Sequence, residues 1–124
     1  VTGGAAGIGR ALAEALAAGD IDRGVLICGT GVGMSIVANK FPHLRAAVCH
    51  DPTTARFSRA HNDANVLTMG SRITGEMVAL DIVNAWLHTP FEGGRHSRRL
   101  EKIERLASPP TSLPFEADRM GGRS

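Results

Sequence analysis

The sequence has no tyrosine, one tryptophan and four phenylalanines, so aromatic residues fill only 4% of its 124 positions. None of them interleaves the basic stretch from Arg95 to Arg105, and the formal net charge is only +2. Both facts argue against a nucleic-acid face and leave a phosphate site or a solvated helix as the readings of that stretch. Cysteine is scarce. Cys28 and Cys49 are the only two, they form no C-x-x-C pair, and the five histidines lack zinc-ligand spacing, so no metal site is expected. No apolar run is long enough to cross a bilayer and no signal peptide opens the chain. The protein therefore reads as cytoplasmic, with reduced thiols and no membrane partner. The length allows one hydrophobic core and not two.

What the sequence does have is glycine in a telling place. Val25-Leu26-Ile27-Cys28 is an apolar run that ends at a thiol and opens into Gly29-Thr30-Gly31-Val32-Gly33-Met34-Ser35. This predicts a buried strand, a loop whose main chain can approach a ligand closely, and a helix whose N-terminal N–H groups favour an anion. Buried cysteines are mostly inert packing, so the thiol alone does not decide the matter. The remaining chain alternates strand and helix. Helices are predicted over 8–18, 34–40, 52–61, 75–88 and 95–106, and strands over 25–28, 45–49 and 65–69. Gly19 ends the first helix, and Pro52 suits a first helical turn because its missing N–H has no partner there anyway. In the fourth helix Ala79, Ile82, Val83, Trp86 and Leu87 form one apolar stripe. Apolar strands alternating with amphipathic helices predict an α/β fold whose parallel sheet is covered on both faces. Residues 1–106 form one domain, and 107–124, with Pro109-Pro110 and Gly121-Gly122, read as an irregular tail.

Several separated motifs then occur in a specific order. They are Leu26 to Lys40, Phe41-Pro42-His43-Leu44-Arg45, His50-Asp51-Pro52, His61-Asn62-Asp63-Ala64-Asn65-Val66, Gly70-Ser71-Arg72 and Phe91-Glu92-Gly93-Gly94-Arg95-His96. From about Ala11 to Glu104 this order resembles the B-type ribose-5-phosphate isomerases, in the superfamily that includes the galactose-6-phosphate isomerases. The resemblance implies a Rossmann-like three-layer α/β/α sandwich of five parallel strands, of which this chain carries the last three. It also implies aldose–ketose isomerisation of a pentose phosphate, ribose 5-phosphate to ribulose 5-phosphate, through a cis-enediolate and without a cofactor. By resemblance Cys28 is the proton-shuttling thiol and His61 the ring-opening group. Asn62 and Arg72 contact substrate, Arg95 and Arg99 clamp phosphate, and the main chain of Gly29, Thr30, Gly31, Val32 and Gly33 cradles the oxyanion. A subgroup without the thiol carries glutamate where this chain has Met34, so the thiol route is the one available here. The partners implied are a phosphorylated sugar and a second copy of the chain in a homodimer with shared sites. His43, His50, His88 and His96 receive no role.

The opening departs from this pattern. Val1-Thr2-Gly3-Gly4-Ala5-Ala6-Gly7-Ile8-Gly9-Arg10 resembles the glycine fingerprint of short-chain dehydrogenases, in which a turn admits a cofactor pyrophosphate. The isomerases' leading Asp-His pair and tyrosine segment are missing, and Val1 stands where an initiating Met would, which fits a fusion, a frame change or trimming. A dehydrogenase fragment and a catalytically impaired dimerising module are therefore the alternative readings. The absence of tyrosine counts against the first, because those dehydrogenases use a Tyr-x-x-x-Lys pair.

Overall fold

A computed structural model of the chain describes residues 4–107. The order is α1 (Gly4–Ala17), β1 (Gly24–Cys28), α2 (Val32–Ala38), β2 (Ala46–Val48), α3 (Pro52–Ala60), β3 (Val66–Gly70), α4 (Glu76–His88) and α5 (Arg95–Ala107). The predicted tail lies outside the described residues, apart from Ala107, which closes α5.

The three strands form one parallel sheet in the order β1-β3-β2, with Cys28 opposite Gly70 and Val48 opposite Thr68. β3 runs down the middle and is buried at every residue. Side chains alternate across a strand, so β3 serves two cores. Leu67 and Met69 meet Cys49, Ala55, Ile82 and Trp86 on the side of α3 and α4. Val66 meets Leu26, Met34, Ala38 and Leu44 on the side of α2, where Ile8, Leu12 and Leu16 of α1 also pack. Helices thus cover both faces of a parallel sheet, the Rossmann-like layering the sequence predicts.

Local chemistry accounts for the boundaries. Gly19 closes α1 in the left-handed region at φ 77°, and its N–H donates to the carbonyl of Leu16. Asp51 caps α3: its carboxylate accepts the N–H of Thr54 at 2.7 Å, and Pro52 follows in the first turn.

Three expectations are corrected. First, α1 starts four residues before Ile8, so Gly4, Gly7 and Gly9 lie within a helix and not in a turn. At Gly9 a Cβ would come within 2.6 Å of Val37 and 3.0 Å of Phe41, so this glycine lets α1 approach α2. Second, the apolar stripe on α4 is narrower than its spacing suggests. Ile82 and Trp86 are fully buried, but Leu87 stays 49% exposed, one residue round the helix from Trp86 and off the arc that α3 and β3 cover. Third, among the described residues β1 is covered on one face only, unlike β3. Leu26 is buried against α1 and α2, whereas Val25 and Ile27 point the other way and remain 40% and 62% exposed.

Among the described residues β1 is paired along one side, by β3, and an edge strand with apolar side chains templates association. Ile27→Lys is expected to lower concentration-dependent light scattering while changing unfolding free energy by no more than about 0.5 kcal/mol, as for surface substitutions generally. Unchanged scattering would mean that β1 is not the associating edge.

Candidate active site

The apolar alternation of β1 carries the chain to Cys28 at the C-terminal end of the sheet, and the loop that follows turns back on the thiol. The Gly31 N–H donates to Cys28 Sγ at 3.1 Å, and Gly31, at φ 83°, is the N-cap of α2. Thr30 braces the turn by accepting the Val32 N–H at 3.3 Å. The backbone N–H of Met34, then those of Gly31, Thr30 and Gly33, hold the Cys28 thiol below its ordinary pKa against an opposing desolvation cost. Oriented amides stabilise a thiolate as they would any anion. Cys49 is the opposite case. It is fully buried, and desolvation pushes it up to about 11.

Contact with β3 fixes the loop. A Cβ on Gly70 would meet the Thr30 backbone at 2.6 Å, and one on Gly31 would meet the Met69 backbone at 3.0 Å. Just beyond, the Ser71 N–H donates to the Cys28 carbonyl at 2.8 Å and the Arg72 N–H to the Gly29 carbonyl at 3.0 Å. This leaves the exposed Arg72 side chain beside Gly29.

A second cluster forms where α3 ends. His61 is the C-cap of that helix, its N–H donating to the Phe57 carbonyl. Its ring lies between Phe57, at 4.8 Å between centroids, and His96, stacked at 4.3 Å and 15°. Glu92 Oε1 stands 3.7 Å from His61 Nε2 and 3.6 Å from His96 Nε2. The turn before β3 is pinned by buried Arg59, whose guanidinium donates to Asp63 and to the Ala64 carbonyl. Asn62 is exposed and lines a cavity of about 520 Å³ with Leu100 and Ile103 of α5. Arg95 and Arg99 are close enough to His96 to disfavour its charged form. Its pKa is lowered first by burial, then by His61 and Arg95, with Arg99 a smaller contributor and Glu92 opposing.

The expected site residues therefore fall into two groups. Cys28, the loop 29–33 and Arg72 sit at the C-terminal end of the sheet. α3 starts at that end and runs back, so His61 and Asn62 precede β3 at the other end, and Arg95 and Arg99 gather there around His96. A five-residue strand separates the ends by about 15 Å. His96 and Glu92 were missed by the sequence reading, although their four-residue spacing around Gly93-Gly94 was a signal.

His61, Glu92 and His96 also place their ligand atoms within 4.8 Å of one another, a set of metal-ligating composition that histidine spacing did not reveal. Near-parallel rings cannot aim both in-plane lone pairs at one point between them, and two arginines stand alongside. The arrangement suits a shared proton better than a dication.

The chain belongs to the ribose/galactose isomerase family, whose model matches residues 6–103. That match begins inside the segment that resembled a dehydrogenase. Ribose-5-phosphate isomerase B of Escherichia coli is 56% identical over 92 residues, which are 74% of this chain and 62% of that protein. D-erythrulose-4-phosphate isomerase of Pectobacterium atrosepticum is 48% identical over 74% of this chain and 60% of its own length. The chain thus spans under two thirds of the length of these curated relatives. Among solved structures, ribose-5-phosphate isomerase B of Clostridium thermocellum superposes with a TM-score of 0.83 at 50% identity, covering 86% of this chain and 72% of that one. The Mycoplasma genitalium enzyme, solved with bound ribulose-5-phosphate, gives 0.80 at 37% identity over 89% and 73%.

Iodoacetamide at neutral pH is expected to modify Cys28 much faster than Cys49, since the thiolate is the nucleophile. Gly70→Ala displaces the Thr30 backbone and should slow the Cys28 reaction toward that of an ordinary thiol, at a cost of about 1–3 kcal/mol in stability. Gly33→Ala, with nothing within 4 Å of the added carbon, should leave the rate unchanged. Equal labelling of the two cysteines by mass spectrometry would rule out activation by the loop.

Proposed function

We propose that this chain interconverts an aldose and a ketose pentose phosphate, ribose 5-phosphate and ribulose 5-phosphate, with Cys28 as the carbon base. One observation carries the reading: the thiol is held below its ordinary pKa by amides that converge on it from the loop and the first turn of α2. Isomerisation needs a base at the carbon beside the carbonyl and fixed donors for the oxyanion that forms. In this mechanism the Cys28 thiolate takes the C2 proton of the open aldose. The electron pair passes into the enediolate, which the loop amides and the Thr30 hydroxyl stabilise; the C2 hydroxyl proton passes to the C1 oxygen, and the thiol returns the carbon proton at C1. His61 opens the sugar ring and Asn62 binds it. Arg95 and Arg99, exposed and four apart on α5, present forked donors to the phosphate, with Arg72 as a further contact. The chemistry consists of proton transfers and calls for no cofactor.

The separation of the two groups supports a shared site. Thiol and histidine lie at opposite ends of one sheet, so a substrate contacting both requires the Cys28 end of one copy to face the His61 end of another. A homodimer with two such sites satisfies this. Two unpaired thiols suit a reducing cytoplasm, and among the described residues no helix is long and apolar enough to cross a membrane. The dehydrogenase alternative loses its support because Gly9 is packed inside α1 against Val37.

Mixing tests the reading. Cys28→Ser and His61→Asn should each lower turnover of ribose 5-phosphate by about 10²–10⁴-fold, the contribution of one acid–base group. Unfolded and refolded together in equal amounts, the two variants should recover about a quarter of parental activity, because half the dimers are mixed and each mixed dimer rebuilds one site of two. No recovery would place both groups in one chain's site, and full activity of Cys28→Ser would end the proposal.

A further inference from the structure

Nothing in the resemblance or in the reaction assigns a role to Glu92, yet the loop before α5 is constructed around it. Its N–H donates to the carbonyl of Ala60 at 2.9 Å, which fixes the backbone of Glu92 against the residue preceding His61. Gly93 and Gly94 follow in the left-handed region at φ 70° and 59°, and the His96 N–H donates back to the Gly93 carbonyl. This tight reversal stacks His96 on His61, and the Phe57 ring stands 4.8 Å from it, tilted by 39°. The ring is stacked on His96, and its Nε2 edge stands 3.7 Å from the Glu92 carboxylate. Among the described residues no side-chain hydrogen bond takes up either ring nitrogen of His61, and the Glu92 carboxylate is the acceptor standing near Nε2.

We infer that Glu92 is a positioning residue: by accepting the Nε2–H of His61 it fixes the tautomer that leaves Nδ1 as the working nitrogen of that ring. The hydrogen bond made by one imidazole nitrogen decides which nitrogen carries the proton. Contacts of 3.6–3.7 Å in the unliganded protein are within the slack that catalytic pairs show before substrate closes them. The carboxylate also offsets the charge that appears on His61 when Nδ1 is protonated. Burial and the neighbouring His61 and Arg95 lower the pKa of His96, so the carboxylate is contested less by that ring than by His61. The side chain of Glu92 is 56% exposed, which separates it from the structural core.

The inference rests on His61 as the ring-opening group, so its test has one readout that needs no turnover. In the full chain labelled with ¹⁵N at histidine, the ring nitrogen shifts of His61 report the tautomer directly. Glu92→Ala is expected to move His61 away from the Nε2–H form, whereas Glu92→Gln, which keeps an acceptor oxygen and loses the charge, retains it. With ribose 5-phosphate, Glu92→Ala should lower kcat by about tenfold to a hundredfold, part of what a whole acid–base group supplies, with KM within about twofold. Glu92→Gln should recover part of that loss. An unchanged His61 tautomer in Glu92→Ala overturns the inference, as does a shifted tautomer with parental kcat. Full activity of His61→Asn would instead remove the functional reading, leaving the tautomer result to stand as a structural fact.

Discussion

The contact on which the site depends is between two stretches of backbone. Gly70 at the end of β3 lies so close to Thr30 that a single added carbon would collide with it, and Gly31 stands in the same relation to Met69. β3 is the most buried element and is packed on both faces, so the loop takes its shape from the stiffest part of the molecule. The amide positions around Cys28 are therefore set by the sheet and not by the loop's own preferences. Preorganised donors of this kind stabilise charge without reorganising at the moment of reaction, which connects the packing of Leu67 and Met69 to the acidity of a thiol.

The same constraint distinguishes the two cysteines. Both end apolar strands and look alike in sequence. Cys28 opens into glycines, where amides can turn toward sulfur, whereas Cys49 stays among Ala55, Ile82 and Trp86, where desolvation outweighs the Ser58 hydroxyl that faces it. Position at a strand end is shared between them, and the backbone beyond it decides their chemistry.

Most of the fold was legible because its signals are local. Val25–Cys28, the Asp51-Pro52 start of α3 and Gly19 each announce a boundary through their own backbone preferences, and the boundaries found lie within a few residues of those expected. What was not legible depends on neighbours. Leu87 has the right spacing for burial and stays exposed because α3 stops covering that arc. Gly4, Gly7 and Gly9 have a turn-forming pattern but lie in a helix, since Gly9 has Val37 and Phe41 to pack against. His96 follows Arg95 in a charged helix and reads as solvated, yet it is buried under the ring of His61, a residue distant in sequence. The placement of the candidate residues at two ends of the sheet was equally hidden. Motif order names the candidates, and only the direction of α3 says where they go.

The strand order β1-β3-β2 also bears on how the chain is made. Of the three described strands β1 emerges from the ribosome first, and among them it pairs with β3 alone, the last to appear. Until then it can rest on α1 and α2 through Leu26 alone, with its backbone groups unpaired. β2 and β3 are closer in sequence and close the shorter loop, at a smaller entropic cost. The sheet should therefore grow from its later strands backward, and the thiol loop acquires its geometry only when β1 docks. During synthesis, the Cys28 loop is then the last part of the described sheet to become ordered.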